Sequence, residues 1–169
     1  MSIDRKLKAW EILSVGIRSE IDAAAFYVRL QDRVKNVLLL EKLKFLALEE
    51  EHHRKILERL FGQRFPEKTV GAPASSLMPP IAASLGEGAS VLDLFLAALE
   101  AEKASESFYE EASELTEEDG SRRMLAYLGR VERSHQAMIR SEIDLLERFP
   151  DYYNVEEFYV GEDLFNVGP

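Results

Sequence analysis

Two sets of acidic, imidazole and phenol side chains recur along the 169-residue chain at one fixed offset. The first set is Glu20, Phe26, Tyr27, Glu50 and His53, and the second is Glu102, Phe108, Tyr109, Glu132 and His135. Every member of the second set stands 82 residues after its counterpart. In each set a lone Glu precedes the Glu of a Glu-x-x-His pair by 30 residues. Carboxylate oxygen and imidazole nitrogen are donors for divalent iron or manganese, with zinc an alternative. Residues three apart on a helix are neighbours, so each Glu-x-x-His pair can face one ion. Four carboxylates gathered without counter-charge would repel one another and take up protons. Two divalent cations balance them, with both imidazoles neutral. The expected metal ligands are therefore Glu20, Glu50, His53, Glu102, Glu132 and His135, around two divalent ions.

A lone Glu-x-x-His in a charged helix is ordinary surface decoration, and it is the doubling at matched offsets that favours metal. The alternative frame, Glu49 with His52, breaks the repeat, so Glu49, Glu51 and His52 are expected on a solvated face. Tyr27 and Tyr109 lie two turns beyond Glu20 and Glu102. They are either plain core aromatics or hydroxyl donors reaching the site, and they are the candidate catalytic residues. Glu106, one turn beyond Glu102, stands where the first half has Ala24; it is either an extra carboxylate near the metals or, the favoured reading, a charge facing the wetter side of the bundle. Trp10, Phe95 and Leu99 are expected in the core.

The elements that must position these groups are helices. Residues 4–33 carry Trp10, Leu13, Ile17, Glu20, Ala24 and Tyr27 in steps of three and four, and 37–60 carry Leu39, Leu43, Leu46, Glu50, His53 and Leu57 likewise. Such stripes are packing seams, and Glu50 and His53 occupy places that should be apolar. Four prolines and four glycines exclude a continuous helix over residues 61–89. That stretch is long enough to run the length of a bundle and start the next helix at its far end. Ser90 with Asp93 signals a helix start, and a third helix is expected to about residue 116. A turn at Glu117–Gly120 leads to a fourth helix, ended near residue 148 by Phe149-Pro150. The spacing predicts two antiparallel hairpins, in which Glu20, Glu50, Glu102 and Glu132 lie at one height. Residues 1–149 are read as one all-α four-helix bundle and 150–169 as an acidic, aromatic tail.

Composition narrows the function. With no cysteine, disulfides, thiol catalysis and cysteine-ligated iron centres are excluded. A net charge of −10 makes nucleic acid and anionic membrane poor partners. No run of apolar residues spans a bilayer, and the first residues do not read as a signal peptide. A cytoplasmic protein is the expectation.

At these motifs the sequence resembles the rubrerythrin group of the ferritin-like superfamily, over roughly residues 8–148. The resemblance implies a ferritin-like bundle with a non-haem di-iron centre. Glu50 and Glu132 would bridge, and Glu20 with His53 and Glu102 with His135 would be terminal ligands. Two departures stand out. Rubrerythrins usually carry a four-cysteine rubredoxin-like domain, absent here, so electrons would come from a separate donor protein. They also usually carry an additional Glu three residues after the third-helix ligand, where this chain has Ser105. Three functions remain open: an oxidoreductase reducing hydrogen peroxide or dioxygen, a ferroxidase-type iron-binding protein for storage or sensing, and a helical interaction module with a vestigial polar seam. A homodimer is expected, and the long crossover would permit exchange of helices between protomers.

Overall fold

The computed structural model describes residue 3, residues 7–71 and residues 89–149. Four helices make up the described residues: α1 (Ala9–Gln31), α2 (Val37–Arg64), α3 (Val91–Glu114) and α4 (Asp119–Arg148). α1 pairs with α2 and α3 with α4, giving two hairpins packed against each other.

Helix starts follow local chemistry. Asn36 caps α2, its side-chain oxygen accepting from the Leu39 amide at 3.2 Å. Ser90 and Asp93 form the expected reciprocal box, with Asp93 N donating to Ser90 Oγ at 3.1 Å and Ser90 N to Asp93 Oδ2 at 2.9 Å. At α4 the structure corrects the expected turn. Glu118 accepts from the Gly120 and Ser121 amides at 2.6 and 2.7 Å, so Asp119 and Gly120 belong to the helix. Those bonds, led by the Ser121 hydroxyl, hold the Glu118 carboxyl at about 2. α2 continues past Gly62 to Arg64, beyond the expected end.

The core divides into two apolar slabs. One gathers Tyr27, Leu30, Leu39, Leu43, Phe95, Ala98 and Ile139, at the end where α1 turns into α2. The other gathers Leu13, Ile17, Leu57, Phe61, Phe108, Leu125 and Leu128, at the end where α3 turns into α4. The last turn of α2 lies beside the first of α4, where Arg64 Nη1 donates to Ser121 Oγ at 3.0 Å. α3 begins at the other end, where Arg33 Nη2 donates to the Ala89 carbonyl at 2.9 Å. The chain thus passes from one end of the bundle to the other between α2 and α3, as the crossover reading requires. Residues 72–88 and the tail from 150 lie outside the described residues. Phe95 and Leu99 are buried as expected, but Trp10 is only half-buried, with Lys68 Nζ 5.2 Å from its ring centre.

Candidate metal centre

Between the two apolar slabs lies a layer of charge. Glu20, Glu50, His53, Glu102, Glu132 and His135 are each no more than 3% exposed. Each helix contributes from its inward seam, α1 and α3 one Glu apiece, α2 and α4 a Glu-x-x-His. All six sequence-predicted ligands are brought together.

They form two overlapping groups. One holds Glu20, Glu50, His53 and Glu132, and the other Glu50, Glu102, Glu132 and His135, with the donor atoms of each group within 4.8 Å of one another. Glu50 and Glu132 belong to both. Nδ1 is the nitrogen turned to the carboxylates in each ring. His53 Nδ1 lies 3.0 Å from Glu132 Oε1 and 3.6 Å from Glu20 Oε2. His135 Nδ1 lies 3.2 Å from Glu50 Oε1 and 3.3 Å from Glu102 Oε2. The two rings stack, 5.5 Å between centres and 16° between planes.

The phenols cross between hairpins. Tyr27 on α1 donates to Glu102 Oε1 on α3, and Tyr109 on α3 donates to Glu20 Oε1 on α1. Burial raises both phenol pKa values, and the carboxylate each one faces raises them further, so both stay protonated donors. Gly16, one turn before Glu20, makes room for this crossing. A Cβ there would sit 3.2 Å from Leu57 Cδ1 and 3.4 Å from the Phe108 ring.

The donor set fits divalent cations. Burial and the nearby Glu50 push the Glu20 carboxyl up, and burial and Glu102 push Glu132 up to about 8. Burial also works against a charged His53, but the carboxylates of Glu132, Glu20 and Glu50 outweigh it and raise its pKa. The same contest, won by Glu102, Glu132 and Glu50, pushes His135 up to about 12. Glu102 ends below its ordinary value, because its contacts with His135 and the Tyr27 hydroxyl outweigh its burial. Burial and the crowding of carboxylates together leave a cluster of acceptors that positive charge at its middle would neutralise. Glu50 Oε1, both Glu132 oxygens, His53 Nδ1 and His135 Nε2 are buried without a hydrogen-bond partner. Native interiors rarely leave so many polar atoms unpaired. Metal–ligand bonds of about 2.1 Å would satisfy such atoms, since they place donors roughly 3–4 Å apart.

Glu106 does not join either group. Its carboxylate takes Arg133 Nε at 2.5 Å and Gln136 Nε2 at 2.5 Å. His52 and Glu51 lie outward, as expected, the one beside Glu49 and the other paired with Arg54. Glu49 departs from expectation. It is half-buried, and one of its oxygens lies within 4.8 Å of a ring nitrogen of both His53 and His135. The reading also missed Gln136, buried between Glu106 and the Glu102 carbonyl, and Glu142, buried with Lys42 as partner.

A rubrerythrin family model matches residues 11–143. The chain belongs to the rubrerythrin family. A solved structure of a hypothetical protein from Pyrococcus furiosus is 34% identical to it, with a TM-score of 0.76, and the match covers 85% of this chain and 92% of that one. None of the curated proteins matches. Membership of this family carries the ferritin-like bundle and a site suited to a carboxylate-bound di-iron centre, at the layer described above. No helix among the described residues is long and apolar enough to cross a membrane.

Proposed function

We propose that the chain is a non-haem di-iron oxidoreductase that reduces hydrogen peroxide or dioxygen. The observation that carries this reading is the pair of four-residue donor groups sharing Glu50 and Glu132. Glu50 and Glu132, common to both groups, would help to hold both ions, with Glu20 and His53 completing one donor set and Glu102 and His135 the other. Two ferrous ions held there would supply the two electrons that, with two protons, take one peroxide to two waters. The protein's part is to fix the donors and exclude bulk water. Tyr27 and Tyr109, as neutral donors, restrain Glu102 and Glu20 from the opposite hairpin and set how strongly each carboxylate can bind. The chain has no cysteine for an electron-relay centre, so a separate donor protein returns the electrons.

A specific observation favours a second reading, iron binding with ferroxidase chemistry but no sustained turnover. Ser105 stands half-buried where the family usually has a further carboxylate, and Glu106 is tied to Arg133 and Gln136 instead. Each ion position therefore has the same donors, three carboxylates and one imidazole. Stopped-flow oxidation of the ferrous-loaded protein separates the two. The oxidoreductase reading expects oxidation by peroxide to outrun that by dioxygen, and peroxide consumption to continue when a reductant is supplied. Oxidation by dioxygen at least as fast, with no sustained consumption, would establish the second reading instead.

A further inference from the structure

All six residues of the candidate centre are walled in, so a cation must cross the side of the bundle to reach them. We propose that Glu49 and His52 form an outer station on the α2–α4 face, through which a divalent cation passes inward to the buried donors. The proposal rests on the dinuclear reading and adds to it the route by which the ions arrive.

The geometry supplies an unbroken series of metal-binding atoms. His52 is exposed, its side chain 51% accessible, and its Nδ1 lies 3.2 Å from Glu49 Oε1. Glu49 comes next, 28% accessible, neither fully in solvent nor in the core. A Glu49 oxygen and one nitrogen from each of His53 and His135 lie mutually within 4.8 Å, the same spacing that holds within the two inner groups. His135 Nδ1 is the nitrogen among the glutamates, which leaves Nε2 on the ring's outer edge. That Nε2 is buried without a hydrogen-bond partner, an unsatisfied donor atom at the inner end of the series. Beyond the two rings lie the four carboxylates.

The repeat shows that this feature is not part of the symmetric ligand set. The positions equivalent to Glu49 and His52 in the second half are Val131 and Ser134. On α2 the neighbouring outward positions, Phe45 and Leu48, are apolar and about half exposed, at 45% and 52%. Tyr127 presents another ring on α4, at 49%. Glu49 with His52 is thus a polar break beside apolar side chains, aligned with the stacked histidines. A carboxylate at such a place raises the local concentration of cations and their rate of capture. An imidazole beside it offers a nitrogen donor suited to divalent transition metals.

The test is the rate at which metal-free, full-length protein takes up cobalt(II), followed by stopped-flow absorption of the bound ion. Glu49→Gln and the double variant with His52→Gln should slow uptake by about ten-fold or more, while the final stoichiometry stays that of the wild type. His52→Gln alone changes only an exposed side chain and should slow uptake by a smaller factor. Glu100→Gln removes an equal charge from an exposed position on α3, where screening should keep its effect within about two-fold. Uptake by all Glu49 and His52 variants at the wild-type rate would overturn the proposal. Unchanged uptake with faster release would also overturn it, because Glu49 would then only hold the histidine rings in place. Wild-type protein that binds no cobalt would instead overturn the dinuclear reading, and this route with it.

Discussion

Each phenol at the centre serves a carboxylate on the other hairpin, which makes the tyrosines the covalent ends of two struts between α1 and α3. Removing one hydroxyl leaves a buried carboxylate of the proposed metal site short of a donor. Tyr109→Phe should therefore weaken binding of the ion nearest Glu20 by about 10–100-fold, with helix content unchanged, as a cobalt titration followed by absorbance and circular dichroism would show. Equal affinities for the wild type and the variant would remove the phenol from the site. At this scale the six central donors were legible in the sequence, because matched offsets place them at one height whatever the handedness of the bundle. The partners of Tyr27 and Tyr109 were not legible, since reaching across to Glu102 and Glu20 depends on which faces of α1 and α3 meet. Glu49 escaped for the same reason. It sits one residue before Glu50, about 100° round the helix, and only the presence of α4 on that side turns it from solvent towards His53 and His135.

The helices hold the site through their caps and their closest approaches. Asn36 is buried and supplies the first acceptor of α2, the helix that carries both Glu50 and His53. Asn36→Ala should cost about 1 kcal/mol in chemical denaturation of the metal-free protein, and no measurable loss would mean that the cap is not used. Gly16 lets α1 approach the Phe108 and Tyr109 rings. Gly16→Leu should overpack that contact by about 1–3 kcal/mol and, by moving Tyr109 from Glu20, weaken metal binding as well. A loss of stability with unaltered affinity would separate the packing from the site. Seams, hairpins and the α3 start were readable from periodicity and capping residues. The start of α4 was not, because Asp119-Gly120 reads as a breaker until Glu118 is seen to satisfy the amides of Gly120 and Ser121.

In the whole molecule the charged layer opposes the two apolar slabs that enclose it, and pH decides by how much. Glu132 holds its proton to about 8 in the fold but to about 4.5 when unfolded, so the metal-free fold binds more protons across that window. His53 and His135 are raised as well, which adds stability at low pH that is lost as pH rises. All three shifts have one sign, so metal-free protein should melt at a lower temperature at pH 8.5 than at pH 6. Metal binding must release those protons, so affinity should rise over the same interval and the loaded protein should gain stability relative to the metal-free form. A metal-free melting temperature that rises with pH would contradict this balance. The central claim, a dinuclear centre with two shared carboxylates, is tested most directly by counting ions. Anaerobic titration of metal-free protein with ferrous iron, read by metal analysis after removal of unbound ions, should give two per chain in the wild type. Because Glu50 and Glu132 belong to both donor groups, Glu50→Ala or Glu132→Ala should lower the occupancy of both positions together. A wild-type count of one or none, or variants that retain both ions, would contradict it.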